Sequence, residues 1–234
     1  MAGLLKGKKI VITGVSRGIG YETAKLFLKE GAQVIGSGRD KSRLESAVQE
    51  LKKFGEIETV LADLGKDGFE KKLIGAIQKK WGALDILINN AGVQLAYAGF
   101  LEDGEGILEN TIKVNLYAPY HLVRAAVPFL LKGNEPRIIN VSSGAGSFEA
   151  LHSHDIACYR ISKWALNGFT MILSDELKGK IAVNSFDPGW VKTDMGGKQA
   201  PGMPSDSAKG ALALANLPFD QTGKFWKDGK EIPF

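Results

Sequence analysis

The stretch Thr13-Gly14-Val15-Ser16-Arg17-Gly18-Ile19-Gly20 decides the fold of this chain. A short apolar, β-branched run at residues 9–13 leads into it, and residues 21–30 follow with helical spacing. Glycines between a strand and a helix permit a tight turn, close approach of the backbone to a phosphate, and close packing of helix on strand. Their spacing differs from the commoner G-x-G-x-x-G pattern, and a plain glycine turn is the alternative. We expect the stretch to hold a pyrophosphate at the amino terminus of the helix.

Strands and helices alternate outward from this stretch. Apolar runs predict further strands at residues 33–37, 59–62, 84–89, 137–142, 181–186 and 222–226. Amphipathic spacing predicts helices at residues 41–54, 69–81, 108–131 (interrupted near Pro119 and Pro128) and 155–178. The alternation predicts a single α/β domain over residues 1–234: a Rossmann-type, doubly wound parallel sheet with helices on both faces. Residues 195–207, rich in Gly and Pro, predict a lid or binding loop, with an ordinary surface loop as the alternative.

Composition limits the classes of partner and compartment. The net charge of +4 is spread over helical stretches, so we expect no nucleic-acid partner. No apolar run approaches the roughly 20 residues that span a bilayer, and we expect no membrane association. The single cysteine, Cys158, excludes an internal disulfide and fits a reducing compartment, so we expect a cytoplasmic protein. We predict no metal site.

A pair of residues in the middle of the chain is suited to proton transfer. Tyr159 and Lys163 are four residues apart and share one face of the predicted helix. A free tyrosine has a pKa of about 10, and an adjacent ammonium group lowers it. Tyr159 could then exchange a proton with a substrate oxygen, and Ser143, just past a predicted strand, could hydrogen-bond the same oxygen.

The motifs together resemble the short-chain dehydrogenase/reductase family. Their order and approximate spacing match over about residues 8–230: Thr13-Gly14-x-x-x-Gly18-x-Gly20, Asn89-Asn90-Ala91-Gly92, Asn115, Ser143, Tyr159-x-x-x-Lys163 and Pro188-Gly189. The run from Asp187 to Gly197, with residues 222–226, is most similar to the carbonyl-reductase branch. The resemblance implies a nicotinamide-dependent oxidoreductase.

The resemblance also assigns roles to individual residues. It implies a catalytic set of Asn115, Ser143, Tyr159 and Lys163, in which Lys163 also holds the nicotinamide ribose and Asn115 anchors a water. Ser143 is preferred over the adjacent Ser142, and His152 and His154 are interpreted as loop residues without a catalytic role. Asp63 is expected to take the adenine amino group, and Thr193 to contact the carboxamide. The cofactor-binding residues so implied are Gly14, Ser16, Arg17, Gly18, Ile19, Gly20, Arg39, Asp63, Leu64, Asn90, Ala91, Gly92, Tyr159, Lys163, Pro188, Gly189, Val191 and Thr193.

The end of the second predicted strand indicates which cofactor binds. An acidic residue there holds the ribose 2′-hydroxyl of NAD, whereas arginine suits a 2′-phosphate. Here that position is Gly38, Arg39 follows it, and Arg17 can reach the same place. Asp40 is interpreted as the N-cap of the next helix. We therefore predict NADP(H) as the cofactor.

The function expected on these grounds is NADP(H)-dependent reduction of a ketone or aldehyde to an alcohol, with Tyr159 as the proton donor. One alternative is an alcohol or steroid-type dehydrogenase that works in oxidation, and another is a non-catalytic NADP-sensing protein. The expected partner is a small carbonyl or alcohol substrate, bound beside a substrate loop at about residues 190–207. Assembly as a dimer or tetramer is expected, with a monomer as the alternative.

Overall fold

The structure, a computed structural model, describes residues 3–234 and is built on one eight-stranded sheet. The strand order is β3-β2-β1-β4-β5-β6-β7-β8, and every neighbouring pair is parallel except β7 and β8. The strands are β1 (Lys9–Thr13), β2 (Gln33–Gly38), β3 (Ile57–Leu61), β4 (Ile86–Asn89), β5 (Arg137–Val141), β6 (Ala182–Phe186), β7 (Phe225–Lys227) and β8 (Lys230–Ile232).

Helices cover both faces of this sheet. They are α1 (Gly18–Lys29), α2 (Lys41–Leu51), α3 (Phe69–Lys80), α4 (Ile107–Ile112), α5 (Ala118–Leu130), α6 (Ala157–Glu176) and α7 (Pro204–Ala215). A π-helical segment, Lys113–Tyr117, joins α4 to α5, and short 3₁₀ turns occupy Gly144–Gly146 and Glu149–His152.

The two faces of the sheet carry separate apolar cores, because side chains alternate along each strand. Ile10 and Ile12 of β1 pack with Phe27 of α1 and Leu214 of α7 on one face. Val11, between them, packs on the other face with the buried residues of α3 and α5. The predicted doubly wound α/β fold is thereby confirmed.

Pro119 and Pro128 affect the fourth predicted helix, residues 108–131, differently. Pro119 lies at the start of α5, directly after the π-helical segment Lys113–Tyr117, so the helix is irregular just before this proline. Pro128 lies within α5 close to its end. The predicted interruption near Pro119 is therefore confirmed, and the one near Pro128 was wrong.

Two carboxyl-terminal elements were missed. The predicted loop at residues 195–207 ends at residue 203, because α7 begins with Pro204 in its first turn and buries Ala208, Ala211 and Ala215. The strand predicted at residues 222–226 is the shorter β7, which turns back into β8 through Asp228 and Gly229, both with positive φ. Asp228-Gly229 is a strong turn signal between antiparallel strands, and it marks this hairpin in the sequence.

Candidate active site

The candidate site is a cleft of about 730 Å³ at the carboxyl ends of the parallel strands. It spans the point where the chain crosses from β1 and β2 on one side to β4, β5 and β6 on the other. In open α/β sheets ligands bind at such a switch point. The glycine stretch lines one end of the cleft, and Tyr159 and Lys163 line the other.

The glycine stretch is fixed against the end of β4. The Asn90 side-chain amide donates to the Thr13 carbonyl at 2.7 Å, and the backbone N–H groups of Asn90 and Ala91 donate to Thr13 Oγ1, each at 3.0 Å. Gly14 and Gly18 have φ values of 78° and 60°, which favour glycine. A Cβ on Gly20 would lie 2.2 Å from the Gly14 carbonyl oxygen, so only glycine fits.

The helix that follows offers free donors to an anion. It begins at Gly18, three residues before the predicted start, and its N-cap, Arg17, makes no side-chain capping bond. The first N–H groups of a helix have no partner within it and carry a partial positive charge. The amino terminus of α1 can therefore hold a phosphate at this end of the cleft.

Tyr159 and Lys163 lie on adjacent turns of α6. Lys163 is buried, and its Nζ donates to the Val141 carbonyl at 2.8 Å and lies 5.6 Å from the centroid of the Tyr159 ring. The residue that caps this helix, Ile156, has a left-handed backbone with φ 45°. That conformation is strained for a β-branched residue, and such strain clusters at functional sites.

Asn115 is fully buried, in the π-helical segment below the cleft. Its Oδ1 accepts from the Val93 N–H at 2.8 Å, and its Nδ2 donates to the Val93 carbonyl at 2.8 Å and to Ser162 Oγ at 3.0 Å. A Cβ on Gly92 would lie 3.3 Å from Asn115 Oδ1 and 3.4 Å from Lys163 Nζ. Gly92 thus leaves the space in which the Asn115 and Lys163 side chains approach one another.

The two adjacent serines have different surroundings. Ser142 is buried and donates to the Lys163 carbonyl at 3.3 Å. Ser143 Oγ accepts from the Ala145 N–H at 3.1 Å, and the Ser143 side chain acts to lower the pKa of Tyr159. Ser142 lines the cleft and Ser143 does not, whereas Ser143 is the serine that influences the Tyr159 phenol.

The pKa values of the pair are shifted in opposite directions. Burial raises the pKa of Tyr159 to about 12; the hydrogen bond with Ser143 lowers it by less, and the Asp187 carboxylate adds to the rise. Burial lowers the pKa of Lys163 to about 8. Lys163 was expected to lower the pKa of Tyr159, but in this structure burial, Ser143 and Asp187 are what shift it, and the net direction is upward.

Asp187, at the end of β6, was missed as a member of the site. It is buried, its Oδ2 lies 2.9 Å from Lys227 Nζ, and its Oδ1 accepts from the Gly189 N–H at 3.0 Å. Its hydrogen bond raises the pKa of Lys227. The sequence signal was the Asp187-Pro188-Gly189 run itself, in which only the last two residues were given a role.

Three arginines line the opposite end of the cleft. Arg17 and Arg39 were predicted there, and Arg43, one turn further along α2, was missed although it stands four residues after Arg39. Ser16 Oγ lies among them, buried and without a hydrogen-bond partner. Asp40 accepts from the Arg43 N–H at 3.0 Å, so the prediction that Asp40 is an N-cap is confirmed.

The family model described as short chain dehydrogenase matches residues 8–203. The chain belongs to the short-chain dehydrogenase family. It is 31% identical over 222 residues to the 3-oxoacyl-[acyl-carrier-protein] reductase FabG of Thermotoga maritima, a match that covers 94% of this chain and 86% of the relative.

Solved structures of the family are similar over the whole chain. The NADPH-bound carbonyl reductase from chicken fatty liver has a TM-score of 0.89 and 28% identity, and the match covers 98% of this chain and 100% of that one. The carbonyl reductase Sniffer of D. melanogaster has a TM-score of 0.88 and 31% identity, and the match covers 97% and 98% of the two chains.

In this short-chain dehydrogenase most predicted cofactor residues line the cleft. Those that do are Gly14, Ser16, Arg17, Gly18, Ile19, Gly20, Arg39, Asp63, Leu64, Asn90, Ala91, Gly92, Tyr159, Lys163, Pro188 and Thr193. Gly189 and Val191 lie outside the lining. Val191 is buried and forms a β-bridge with Gly202.

The remaining residues that drew attention in the sequence lie away from proton chemistry. His152 and His154 are exposed on the turn before α6. Cys158 is buried, which confirms a packed side chain; burial, helped by a 2.8 Å contact with Asp103, raises its pKa to about 12. Among residues 3–234, no three His, Cys, Asp or Glu side chains gather as a metal site requires. Over the same residues every helix falls short of the length and apolarity needed to cross a bilayer.

Proposed function

We propose that this short-chain dehydrogenase is an NADP(H)-dependent reductase that converts a ketone or aldehyde to an alcohol, with Tyr159 as the proton donor. The observation that carries the proposal is the placement of Tyr159 and Lys163 on adjacent turns of α6, where both line the cleft at the carboxyl ends of the parallel strands. A proton donor must be protonated at working pH, whereas the reverse reaction needs the phenolate. Burial raises the pKa of Tyr159, so the phenol stays in the protonated form that reduction uses.

The arginine end of the cleft fits a 2′-phosphorylated dinucleotide. Arg17, Arg39 and Arg43 supply donors that suit phosphate oxygens, and Ser16 Oγ supplies a buried hydroxyl without a partner. A Cβ at Gly38 would lie 2.3 Å from Ser16 Oγ and 3.1 Å from Leu44 Cδ1. An NAD site would place an acidic residue at this position. Here any side chain at position 38 would collide with Ser16 and Leu44.

Bound NADPH would supply the hydride. Tyr159 then gives its proton to the oxygen of the former carbonyl, and the Ser143 hydroxyl hydrogen-bonds the same oxygen and holds the substrate in place. Lys163, fixed by the Val141 carbonyl, presents its amine to the cofactor ribose. Asn115, fixed by its hydrogen bonds to Val93 and Ser162, helps to hold Lys163 in position from the interior of the protein.

The entrance to the cleft favours an apolar carbonyl compound. Tyr97, Phe148 and Trp190 expose 70%, 64% and 61% of their surface, and we propose that they border the entrance. The Tyr97 hydroxyl donates to the Met195 carbonyl at 3.2 Å, which places both residues at one rim. We propose an aromatic or aliphatic carbonyl substrate without an anionic group, converted in a reducing compartment such as the cytoplasm.

The test is the oxidation of NADPH by the purified protein with a panel of aromatic and aliphatic aldehydes and ketones. Turnover is expected with NADPH, and the specificity constant with NADH should be at least tenfold lower. Arg39→Ala should weaken NADPH binding by about tenfold or more, since charged hydrogen bonds contribute roughly 1.5–3 kcal/mol each, and change NADH binding much less. NADPH binding without turnover of any carbonyl would instead support the NADP-sensing alternative.

A further inference from the structure

One acidic side chain stands among the phosphate-binding arginines. Asp194 forms an ion pair with Arg17 and lies with its Oδ2 3.7 Å from Arg43 Nη1. Arg17 belongs to the glycine stretch, Arg43 to α2, and Asp194 to the segment after β6. The Asp194 carboxylate therefore links its own segment both to the glycine stretch and to α2 at the rim of the cleft.

The segment that carries Asp194 is held in place by its own hydrogen bonds. The Gly196 N–H donates to Thr193 Oγ1 at 3.0 Å, and the Gly197 N–H donates to the Thr193 carbonyl at 2.8 Å. The Lys192 N–H donates to the Gly202 carbonyl at 3.0 Å. A Cβ on Gly18 would lie 3.2 Å from Thr193 Cγ2, so the segment also packs on the glycine stretch. Asp194 is thus presented to the arginines by a defined turn.

We propose that Asp194 competes with the cofactor 2′-phosphate for Arg17 and Arg43, and so acts as a displaceable gate at the phosphate end of the cleft; this inference rests on the proposed use of NADP(H). The side chains of Arg17, Arg43 and Asp194 are 50%, 55% and 66% exposed, so the ion pairs are screened by water and weak. A phosphate carries about twice the charge of a carboxylate and three acceptor oxygens. It can replace Asp194 on both guanidinium groups.

Asp194 affects ligands with a 2′-phosphate differently from ligands with a 2′-hydroxyl. A ligand with a 2′-phosphate meets Arg17 and Arg43 directly and must displace Asp194. NADH brings only a hydroxyl to that position and leaves the pair with Arg43 closed. Asp194 is therefore a specificity residue that lowers the affinity of 2′-phosphorylated ligands selectively.

The experiment measures binding of NADPH, 2′,5′-ADP and NADH by isothermal titration calorimetry at low salt, with wild type and Asp194→Asn. The variant should bind NADPH and 2′,5′-ADP roughly two- to fivefold more tightly, the size expected for exposed ion pairs, and NADH within twofold of wild type. The gain should shrink at high salt and disappear only when Arg17 and Arg43 are both replaced by alanine. Glu231→Gln, which breaks the exposed Glu231–Lys224 pair at the far edge of the sheet, is the control and should change nothing.

Other outcomes separate this inference from the proposed function. Unchanged or weaker NADPH binding by Asp194→Asn, or an equal gain for NADH, overturns the gate while the reductase proposal stands. If wild type prefers neither NADPH nor 2′,5′-ADP over their unphosphorylated counterparts, the proposed cofactor is wrong and the gate fails with it.

Discussion

At the scale of single residues, Tyr159 and Lys163 share one environment that acts oppositely on an acid and a base. Removal from water disfavours whichever form is charged, so the phenol keeps its proton and the amine gives its proton up more readily. With pKa values of about 12 and about 8, the phenol is neutral throughout the physiological range while the amine titrates at its upper edge.

Replacing the phenol tests its role as the proton donor. Tyr159→Phe should reduce carbonyl turnover by about 10²–10⁴-fold, the usual contribution of general acid catalysis, and leave the affinity for NADPH unchanged. Tyr120→Phe is the matched control: Tyr120 is exposed on α5 and pairs with Arg124, away from the cleft. Residual turnover of Tyr159→Phe within threefold of wild type would rule Tyr159 out as the donor.

The buried amine predicts a pH dependence of stability. Because the folded-state pKa of Lys163 lies below its ordinary value of 10.5, the protonated amine costs stability below about pH 8, and the cost fades between about pH 8 and pH 10.5. Lys163→Met should therefore gain more stability over wild type at pH 7 than at pH 9.5, by about 1–2 kcal/mol. Urea unfolding of both proteins at the two pH values measures the difference; an equal gain at both would show that Lys163 has an ordinary pKa.

Sequence reasoning found residues that local motifs identify and missed those that act across the chain. Tyr159 and Lys163 are four residues apart on one helix, so periodicity alone places them together. Asp194 meets Arg17 only because the segment after β6 returns to the glycine stretch, 177 positions away. Spacing within a motif contains no signal for such a contact.

At the scale of elements, the glycine stretch shows how a close approach between two parts of the backbone permits only glycine at one position. Gly20→Ala should destabilise the protein by about 1–3 kcal/mol and weaken NADPH binding, since its Cβ would lie 2.2 Å from the Gly14 carbonyl oxygen. Gly75→Ala is the matched control: Gly75 lies within α3 with nothing close to its added Cβ. There alanine should stabilise by about 0.5–1 kcal/mol. Thermal unfolding of both variants provides the comparison, and equal effects would contradict the close-packed turn.

The substrate loop predicts uneven amide exchange. A lid without regular structure would exchange fast throughout, but Lys192, Gly197 and Gly202 donate to backbone carbonyls, and residues 204–206 begin α7. We now expect slow exchange at these three amides and fast exchange at the exposed residues 198–199 in the free protein. Addition of NADPH and a substrate analogue should slow exchange at residues 194–195. Mass-spectrometric hydrogen exchange resolves these peptides, and uniformly fast exchange over residues 192–203 would contradict the anchored turn.

The elements that were predicted correctly are those whose local sequence pattern matches their place in the tertiary structure. The buried parallel strands are short runs rich in apolar residues, so β1, β5 and β6 appear within a residue or so of their predicted positions. Three glycines and two prolines in residues 195–207 suggested a loop and concealed the amino terminus of α7, where Pro204 is favourable. The π-helical form of the irregularity before Pro119 could not be predicted, because the hydrogen bonds of Asn115 to Val93 that accompany it join distant parts of the chain.

At the scale of the whole molecule, the topology rules for parallel sheets predict how the elements are arranged, which hydrophobic periodicity alone does not. Right-handed crossovers between parallel strands place successive helices on defined faces of the sheet. The strand order then brings the ends of β1, β2, β4, β5 and β6 to one edge, where the predicted residues meet. The antiparallel β8 lies outside this pattern and outside the site.

The strand order also describes a route by which the protein can be made. Read in order of synthesis, β2 and β3 add to one side of β1, and β4 through β8 then add in turn to the other side. No strand has to be inserted between two that are already paired, so a chain emerging from the ribosome can extend its sheet at free edges alone. The elements that carry Arg17 and Arg43, built around β1 and β2, are synthesised well before β6, Asp187 and the segment that bears Asp194. The two ends of the cleft are thus completed at different times.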